Sequence, residues 1–216
     1  MTLAIFDLDH TLIDGDSDYL WGEYMVATGI TDAEAYRKRN LEFYQDYQRG
    51  SLDSDQYLTF ALEPLTRHPL EKLHAWRRDY VAQWIKPLIK PGVPQKLAQH
   101  RALNHDLMII SATHRFITEP IAELLQIPHL LSTEPEISNG RYTGRYIGTP
   151  TFREGKVTAL RQWLDEHKVS LEGAYFYSDS INDLPLLDLV AHPVAVDPDA
   201  ELSAIAKGRQ WPLIHL

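Results

Sequence analysis

Leu3-Ala4-Ile5-Phe6-Asp7-Leu8-Asp9-His10-Thr11-Leu12 decides the fold: an apolar run from Leu3 to Leu8 breaks onto acidic and turn-forming residues. Such a run reads as a buried strand whose carboxyl end opens onto a site. Three more runs behave the same way. Asp106 to Ile110 ends at Ser111, Gly173 to Tyr177 leads into Ser178-Asp179, and Val194 to Val196 stops at Asp197-Pro198. Helical patterns lie between them, over Val93 to Asn104, Phe116 to Leu125, Glu154 to His167 and Leu184 to Val190. Strands alternating with helices predict an α/β fold, a doubly wound parallel sheet covered on both faces.

From about Asp16 to Pro87 the alternation stops. This stretch has few β-branched runs and is punctuated at Gly29-Ile30-Thr31, Gly50-Ser51-Leu52-Asp53 and His68-Pro69, which predicts four consecutive helices. Thr31 and Asp53 suit N-caps, and Pro69 suits a first helical turn. Inserted after the first strand, these helices form a cap beside the strand ends. Glu136 to Gly144 reads as a hairpin, because Asn139-Gly140 suits a type I′ turn. No Gly/Ser linker separates the parts, so cap and core are expected to pack closely.

Composition removes several function classes. The 216 residues include no cysteine, which excludes disulfide scaffolds, cysteine-ligated metals and thiol nucleophiles. Thirty Asp plus Glu against 21 Lys plus Arg give a net charge of −9, a field that repels nucleic acid. It does not bar a small anion from one local site. Met1 to Phe6 carries no basic segment and its apolar run stops at Asp7, so a cytoplasmic protein without membrane attachment is expected.

The chemistry gathers where strands end. Asp7 and Asp9 share a face if the strand continues; if the chain turns after Asp7, that geometry does not hold. Either way, two neighbouring acids can divide the roles of nucleophile and general acid or base. Asp179-Ser180-Ile181-Asn182-Asp183 brings a second acidic cluster, and carboxylates from two loops suit Mg²⁺. The Ser111 hydroxyl, with neighbouring backbone N–H groups such as that of Ala112, can hold an anion. Lys156, opening a helix, offers a compact positive charge to that anion or to a carboxylate nucleophile.

In this order, Asp7-Leu8-Asp9-His10-Thr11-Leu12, Ser111, Lys156 and Asp179-Ser180-Ile181-Asn182-Asp183 resemble the four motifs of the haloacid dehalogenase superfamily of phosphatases. The helical insertion resembles that of subclass IB, the phosphoserine-phosphatase-like branch. The resemblance implies a Rossmann-like core of residues 1–15 and 88–216 with a helical C1-type cap over 16–87. It implies that Asp7 attacks phosphorus and that Asp9 protonates the leaving alcohol and then activates water. It further implies Mg²⁺ held by Asp7, the Asp9 carbonyl and Asp179, with Asp183 in direct contact or one layer behind. Ser111, Ala112, Lys156 and Asn182 would hold the phosphate of a small phosphorylated metabolite. Ala112 departs from the family's frequent glycine, and Ser178-Asp179-Ser180 from Gly-Asp-Gly; both alter loop geometry and keep the functional side chains.

Plainer roles compete for several residues. Asp183 either caps a helix starting near Leu184-Pro185 or serves the metal. Ser111 alone reads as a helix cap, and Lys156 alone as solvated surface. His10 and His114 lack partners at metal-ligand spacing and suit hydrogen bonding or packing. Tyr19, Trp21, Tyr24, Phe43, Tyr44 and Tyr47 recur at helical spacing, which makes most of them cap core. The hairpin carrying Arg141 and Arg145 is either a flap over the site or edge decoration.

Specificity is written in the acids. Asp7 to Asp18 contains five aspartates and no Lys or Arg. Asp16 or Ser17 is expected to cap the first cap helix, while one or two of Asp14, Asp16 and Asp18 face the pocket and favour a cationic amine. By the resemblance, Asp16 stands where phosphoserine phosphatases place a Glu against the substrate ammonium. Phosphoserine also needs a cation for its carboxylate, and Arg37, Lys38, Arg39 and Arg49 are the candidates. Gly15 to Gly22 and Phe152 to Lys156 resemble the branch containing bacterial histidinol-phosphate phosphatases, which ranks an amino-alcohol phosphate such as histidinol phosphate ahead of phosphoserine. The rival from another class is a receiver-like phosphoacceptor signalling domain; Asp9 and the cap argue against it, since a receiver needs neither. A non-hydrolytic binding module is a third reading.

Overall fold

Alternation along the first strand shows why the sheet is buried on both sides: Leu3 and Ile5 pack into one apolar cluster, Ala4 and Phe6 into the other. The computed structural model describes residues 2–31 and 33–216. Strand β1 (Leu3–Phe6) is followed by helices α1 (Ser17–Ala27), α2 (Ala33–Gln48), α3 (Ser54–Thr66) and α4 (Leu70–Tyr80). A π turn (Val81–Ile85) and a 3₁₀ turn (Lys86–Leu88) return the chain to α5 (Val93–Ala102), β2 (Asp106–Ile110), α6 (Arg115–Leu124) and β3 (His129–Leu131). The hairpin β4 (Glu134–Ser138) and β5 (Arg141–Ile147) precedes α7 (Glu154–His167), β6 (Tyr175–Ser178), α8 (Leu184–Leu187), β7 (His192–Val196), α9 (Ala200–Gly208) and β8 (Leu213–Ile214).

The six sheet strands run in the order β3-β2-β1-β6-β7-β8, all pairs parallel. The order reverses beside β1, and the carboxyl ends of β1 and β6 lie together there, where open α/β sheets bind ligands. On one face α7, α8 and α9 contribute Leu160, Leu186, Leu187, Leu202 and Ala206. On the other, α5 and α6 share a single cluster with Trp21, Tyr24, Leu62, Leu73 and Tyr80 of the cap. Cap and core therefore pack as one body, as the missing linker predicts. The connections into and out of the cap lie side by side: the Asp14 N–H donates to the Leu88 carbonyl (2.8 Å) and the Lys90 N–H to the Leu12 carbonyl (3.1 Å).

Several expected elements differ in extent. β1 stops at Phe6, two residues before Leu8, because the chain curls back there: the Leu12 N–H donates to the Leu8 carbonyl (2.8 Å), and His10 takes φ 56°. The helix expected over Leu184 to Val190 ends at Leu187. Pro69 sits one residue ahead of α4, as its cap residue. Asp53 caps α3, accepting from the Asp55 and Gln56 N–H groups. Thr31 stands ahead of α2, whose cap position lies outside the described residues. Asn139 and Gly140 both adopt positive φ (50° and 72°), the type I′ signature. The hairpin lies against α3, with the Tyr146 hydroxyl donating to Asp55 (2.6 Å). Arg145 pairs with Glu136 within the hairpin. β3, α9 and β8 were not expected. Among the described residues no helix is long and apolar enough to cross a membrane.

Candidate active site

Asp7 is the first residue past β1, its N–H donating to the Tyr177 carbonyl of β6 (2.9 Å), so its carboxylate emerges at the strand-order reversal. Lys156, in the first turn of α7, reaches it from the opposite side: Nζ lies 2.7 Å from Asp7 Oδ1, and 2.7 and 2.8 Å from the two oxygens of Asp183. All three side chains are buried. Burial opposes the Lys156 charge, but the Asp183 and Asp7 carboxylates outweigh it and hold the ammonium above its usual range. For Asp7 the balance is reversed: burial raises its pKa well above the normal carboxylate value, Lys156 resists, and Asp183, Asp179 and Asp9 add repulsion. Lys156 is thus a buried cation, not solvated surface.

Asp179 follows β6. The Thr11 hydroxyl donates to its Oδ1 (3.0 Å) while accepting from its backbone N–H (3.1 Å). Burial raises the Asp179 pKa to about 7. Asp183 occupies the cap position of α8 but makes no side-chain capping bond; its carboxylate accepts from Lys156 and the Ser178 hydroxyl (2.7 Å). Four carboxylates gather here with one lysine among them, a set that could accept a further cation. Among the described residues no three His, Asp or Glu side chains form a ready-made cage. Mg²⁺ needs none, since it takes one or two carboxylates and keeps several waters. Asp7 and Asp179 fit that demand, and Asp183, occupied by Lys156 and Ser178, stands behind them.

Asp9 is oriented from two sides, by the start of α1 and by the loop after β2. Its Oδ1 accepts from the Ser17 backbone N–H at the start of α1 (2.6 Å), and its Oδ2 from the Thr113 hydroxyl (2.9 Å) and more distantly from Ser111 (3.4 Å). Because the chain has turned, Asp7 and Asp9 belong to a loop and the alternating-strand geometry does not apply. Ser111 is no helix cap, since α6 begins at Arg115 with His114 in the cap position. Its hydroxyl instead accepts from the Thr113 N–H (3.1 Å), shaping the loop that presents Ala112 to the pocket. Asn182 faces the cap–core seam, accepting from Arg153 Nε (3.1 Å) and donating to the Tyr47 carbonyl (3.4 Å). Arg153, at φ 52°, also donates to the Gly50 carbonyl of the α2–α3 loop. Non-glycine residues hold such a conformation only when the surroundings over-determine it.

Above Asp7 and Asp9, cap and core enclose a pocket whose walls include Asp16, Asp18, Tyr19, Tyr44, Tyr57 and Phe152. Tyr19, Phe43, Tyr44 and Tyr47 all line it; the expectation that most of the aromatic set is cap core holds for Trp21, Tyr24 and Phe43, the last buried against Tyr57 and Phe60 as well as lining the pocket, and fails for Tyr19, Tyr44 and Tyr47. Both roles follow the same helical period, because the pocket is itself an interior. Asp16 is the α1 N-cap, accepting through Oδ1 from the Asp18 and Tyr19 N–H groups (3.0 and 2.8 Å), and also faces the pocket. Asp14 is exposed. Arg37, Arg39 and Arg49 pair on the surface with Glu23, Glu42 and Asp46, and Lys38 is exposed; none lines the pocket, and neither do Arg141 and Arg145. His10 meets the Tyr44 hydroxyl (3.3 Å), and His114 lies buried behind Asp18.

Gly155, beside Lys156, is sterically obligatory: a Cβ there would sit 1.9 Å from the Pro150 carbonyl oxygen. Gly155→Ala must displace either the Pro150 loop or the first turn of α7. Urea denaturation is expected to show a loss of about 3 kcal/mol, with kcat falling more than KM as Lys156 moves.

The chain's similarities agree with this geometry. The family model described as haloacid dehalogenase-like hydrolase matches residues 4–188. A histidinol-phosphatase of Neisseria meningitidis serogroup C (strain 8013) is 46% identical over 99% of this chain and 98% of its own. A crystal structure of a Bordetella pertussis Tohama I protein of unknown function superposes with TM-score 0.93 at 40% identity, covering 99% of each chain. A substrate-bound phosphoserine phosphatase, covering 99% of this chain and 92% of its own, shares the fold at TM-score 0.72 and 16% identity. A buried Asp–Lys–Asp cluster at the strand-order reversal, a helical cap closing over it and a family match spanning both agree: the chain belongs to the haloacid dehalogenase-like hydrolases.

Proposed function

We propose that the chain is a Mg²⁺-dependent phosphomonoesterase acting through an aspartyl-phosphate on Asp7, with an amino-alcohol phosphate such as histidinol phosphate as substrate. The observation that carries the substrate class is the charge of the pocket wall: beyond Asp7 and Asp9 it holds two more carboxylates, Asp16 and Asp18, and among the described residues no Lys or Arg. An ammonium on the leaving alcohol gains partners there. The carboxylate of phosphoserine gains none, because the cap arginines are spent on surface acids. The 46% identity to a histidinol-phosphatase supports the same ranking.

The residues divide the reaction between them. An Asp7 carboxylate oxygen forms a bond to phosphorus as the ester P–O bond breaks, and Asp9 gives its proton to the departing alkoxide. Asp9, now ionised, takes a proton from the water that attacks phosphorus, releasing phosphate and restoring Asp7. The Ser17 N–H and Thr113 hydroxyl fix Asp9 for both transfers. In this reading Lys156 and the Ser111–Ala112 loop neutralise the phosphoryl oxygens, which is most of what phosphoryl transfer asks of a protein. Asp7, the Asp9 carbonyl and Asp179 would hold Mg²⁺, which would supply further positive charge there. Asp9 and the enclosed pocket favour this reading over a receiver-like phosphoacceptor.

Purified protein assayed with an aryl phosphate is expected to lose activity in EDTA and regain it with Mg²⁺. Across a panel of phosphorylated metabolites, kcat/KM for histidinol phosphate should exceed that for phosphoserine by about 100-fold. Sugar phosphates or nucleotides outperforming every amino-alcohol phosphate would overturn the substrate class, and metal-independent turnover would overturn the chemistry.

A further inference from the structure

We propose that Asp18 accepts a hydrogen bond from a second nitrogen of the leaving alcohol, so that the pocket suits a phosphomonoester whose alcohol carries two nitrogen groups, one for Asp16 and one for Asp18. This rests on the amino-alcohol reading above and extends it to the far end of the substrate.

Asp16 and Asp18 face the same pocket in different circumstances. Asp16 spends Oδ1 on the start of α1 and Asp9 is the charge that acts on it most, whereas Asp18 feels His114 more than it feels Asp9. Asp18 is 6% exposed, and its Oδ2 has no hydrogen-bond partner among the described residues. Buried carboxylate oxygens are rarely left so; a missing donor points to a ligand or an ordered water. Behind it, His114 is wholly buried, with Nε2 3.5 Å from Asp18 Oδ1 and neither ring nitrogen hydrogen-bonded among the described residues. Burial pushes the His114 pKa down, and Asp18 only partly offsets this. His114 makes no hydrogen bond to Asp18 and the single Tyr57 hydroxyl proton can serve only one carboxylate oxygen, so the donor that Oδ2 lacks is to be met from the pocket side. Asn40 and Tyr57 line that side with it, and the faces of Tyr19, Phe43 and Tyr44 offer aromatic surface for a flat or cationic group. An imidazole or a second amine can donate to Asp18 there; a phenyl ring of the same shape cannot.

The test compares histidinol phosphate, phenylalaninol phosphate, O-phosphoethanolamine and an aryl phosphate on the Mg²⁺-loaded enzyme. In the wild type, kcat/KM for histidinol phosphate is expected to exceed that for phenylalaninol phosphate by about 100-fold, because a site built for an N–H rejects an analogue without it. Asp18→Asn should shrink that ratio to below about 10-fold, whereas Asp16→Asn should lower all three amines relative to the aryl phosphate. A wild-type ratio near one, or an unchanged ratio in Asp18→Asn, overturns the proposal. Should Asp18→Asn fail to fold, Asp18→Ser is read in the same way, and equal competitive inhibition of the wild type by histidinol and phenylalaninol also overturns it. If O-phosphoethanolamine matches histidinol phosphate, this proposal alone fails; if every amino-alcohol phosphate falls below the aryl phosphate, the substrate reading fails and takes it along.

Discussion

Asp7→Asn is expected to abolish turnover of every phosphomonoester, with a loss of at least about 10⁴-fold in kcat, while the protein stays folded. An amide of the same shape keeps a contact to Lys156 through its oxygen, but it is far too poor a nucleophile to attack phosphorus. Stability should not suffer. Asp7 is buried among Asp9, Asp179 and Asp183, and both burial and their repulsion disfavour its charge. Its carboxylate therefore costs the metal-free protein stability at neutral pH, where the unfolded chain ionises it freely, and the neutral amide removes that cost. Calorimetry without Mg²⁺ should show a Tm equal to or above that of the wild type, and added Mg²⁺ should raise it less than in the wild type. A variant that still hydrolyses an aryl phosphate at the wild-type rate would exclude Asp7 as the nucleophile.

How far the sequence foretold this site depends on what each residue needs from the fold. Strands buried on both faces read as plain apolar runs, so β1, β2, β6 and β7 were visible, and Asn139-Gly140 marked its own turn. β3 and β8 sit at the sheet edges with three and two residues, too short for a periodic signal. α9 buries only Leu202 and Ala206, a weak stripe despite its cap at Asp199. The acids and Lys156 carry their chemistry in their side chains and could be picked out by type and order. Thr113, Thr11 and Ser178 could not. They are common residues whose hydroxyls matter only because folding brings Asp9, Asp179 and Asp183 to them, over 168 positions in the case of Thr11 and Asp179. Ser17 acts through its backbone N–H, which leaves no mark on residue type. Arg153 carries no sign of its role in the sequence, since the tie it makes between Asn182 and the cap loop depends on the approach of Gly50.

Lys156→Met should cause the largest combined loss of activity and stability. Methionine matches the length of the lysine stem and fills the same space, so the defect is chiefly one of charge. The variant leaves Asp7 and Asp183 buried without their shared cation, a change that costs about 3–5 kcal/mol when one partner of a buried pair is removed. The pH dependence follows from the direction of each shift. The Lys156 pKa is raised in the folded protein, so its stabilising contribution is complete at and below neutrality and is lost only as pH climbs through that raised value. The wild type therefore keeps this contribution across pH 5 to 9. The carboxylates behave oppositely: Asp7 and Asp179 have raised values, about 7 for Asp179, so ionising them costs the folded state stability as pH rises. With the lysine gone, the charge that offsets this cost at Asp7 is lost, while the Thr11 hydroxyl still favours ionised Asp179. Urea denaturation of metal-free protein should show the gap between Lys156→Met and wild type widening from pH 5.5 to pH 8, and Mg²⁺ should narrow it by returning positive charge to the cluster. Turnover should fall about 10³-fold in the Mg²⁺-loaded variant, because a charge aimed at the phosphoryl oxygens is missing. A gap that stays constant with pH would mean that Lys156 stabilises the fold through packing and does not neutralise these carboxylates.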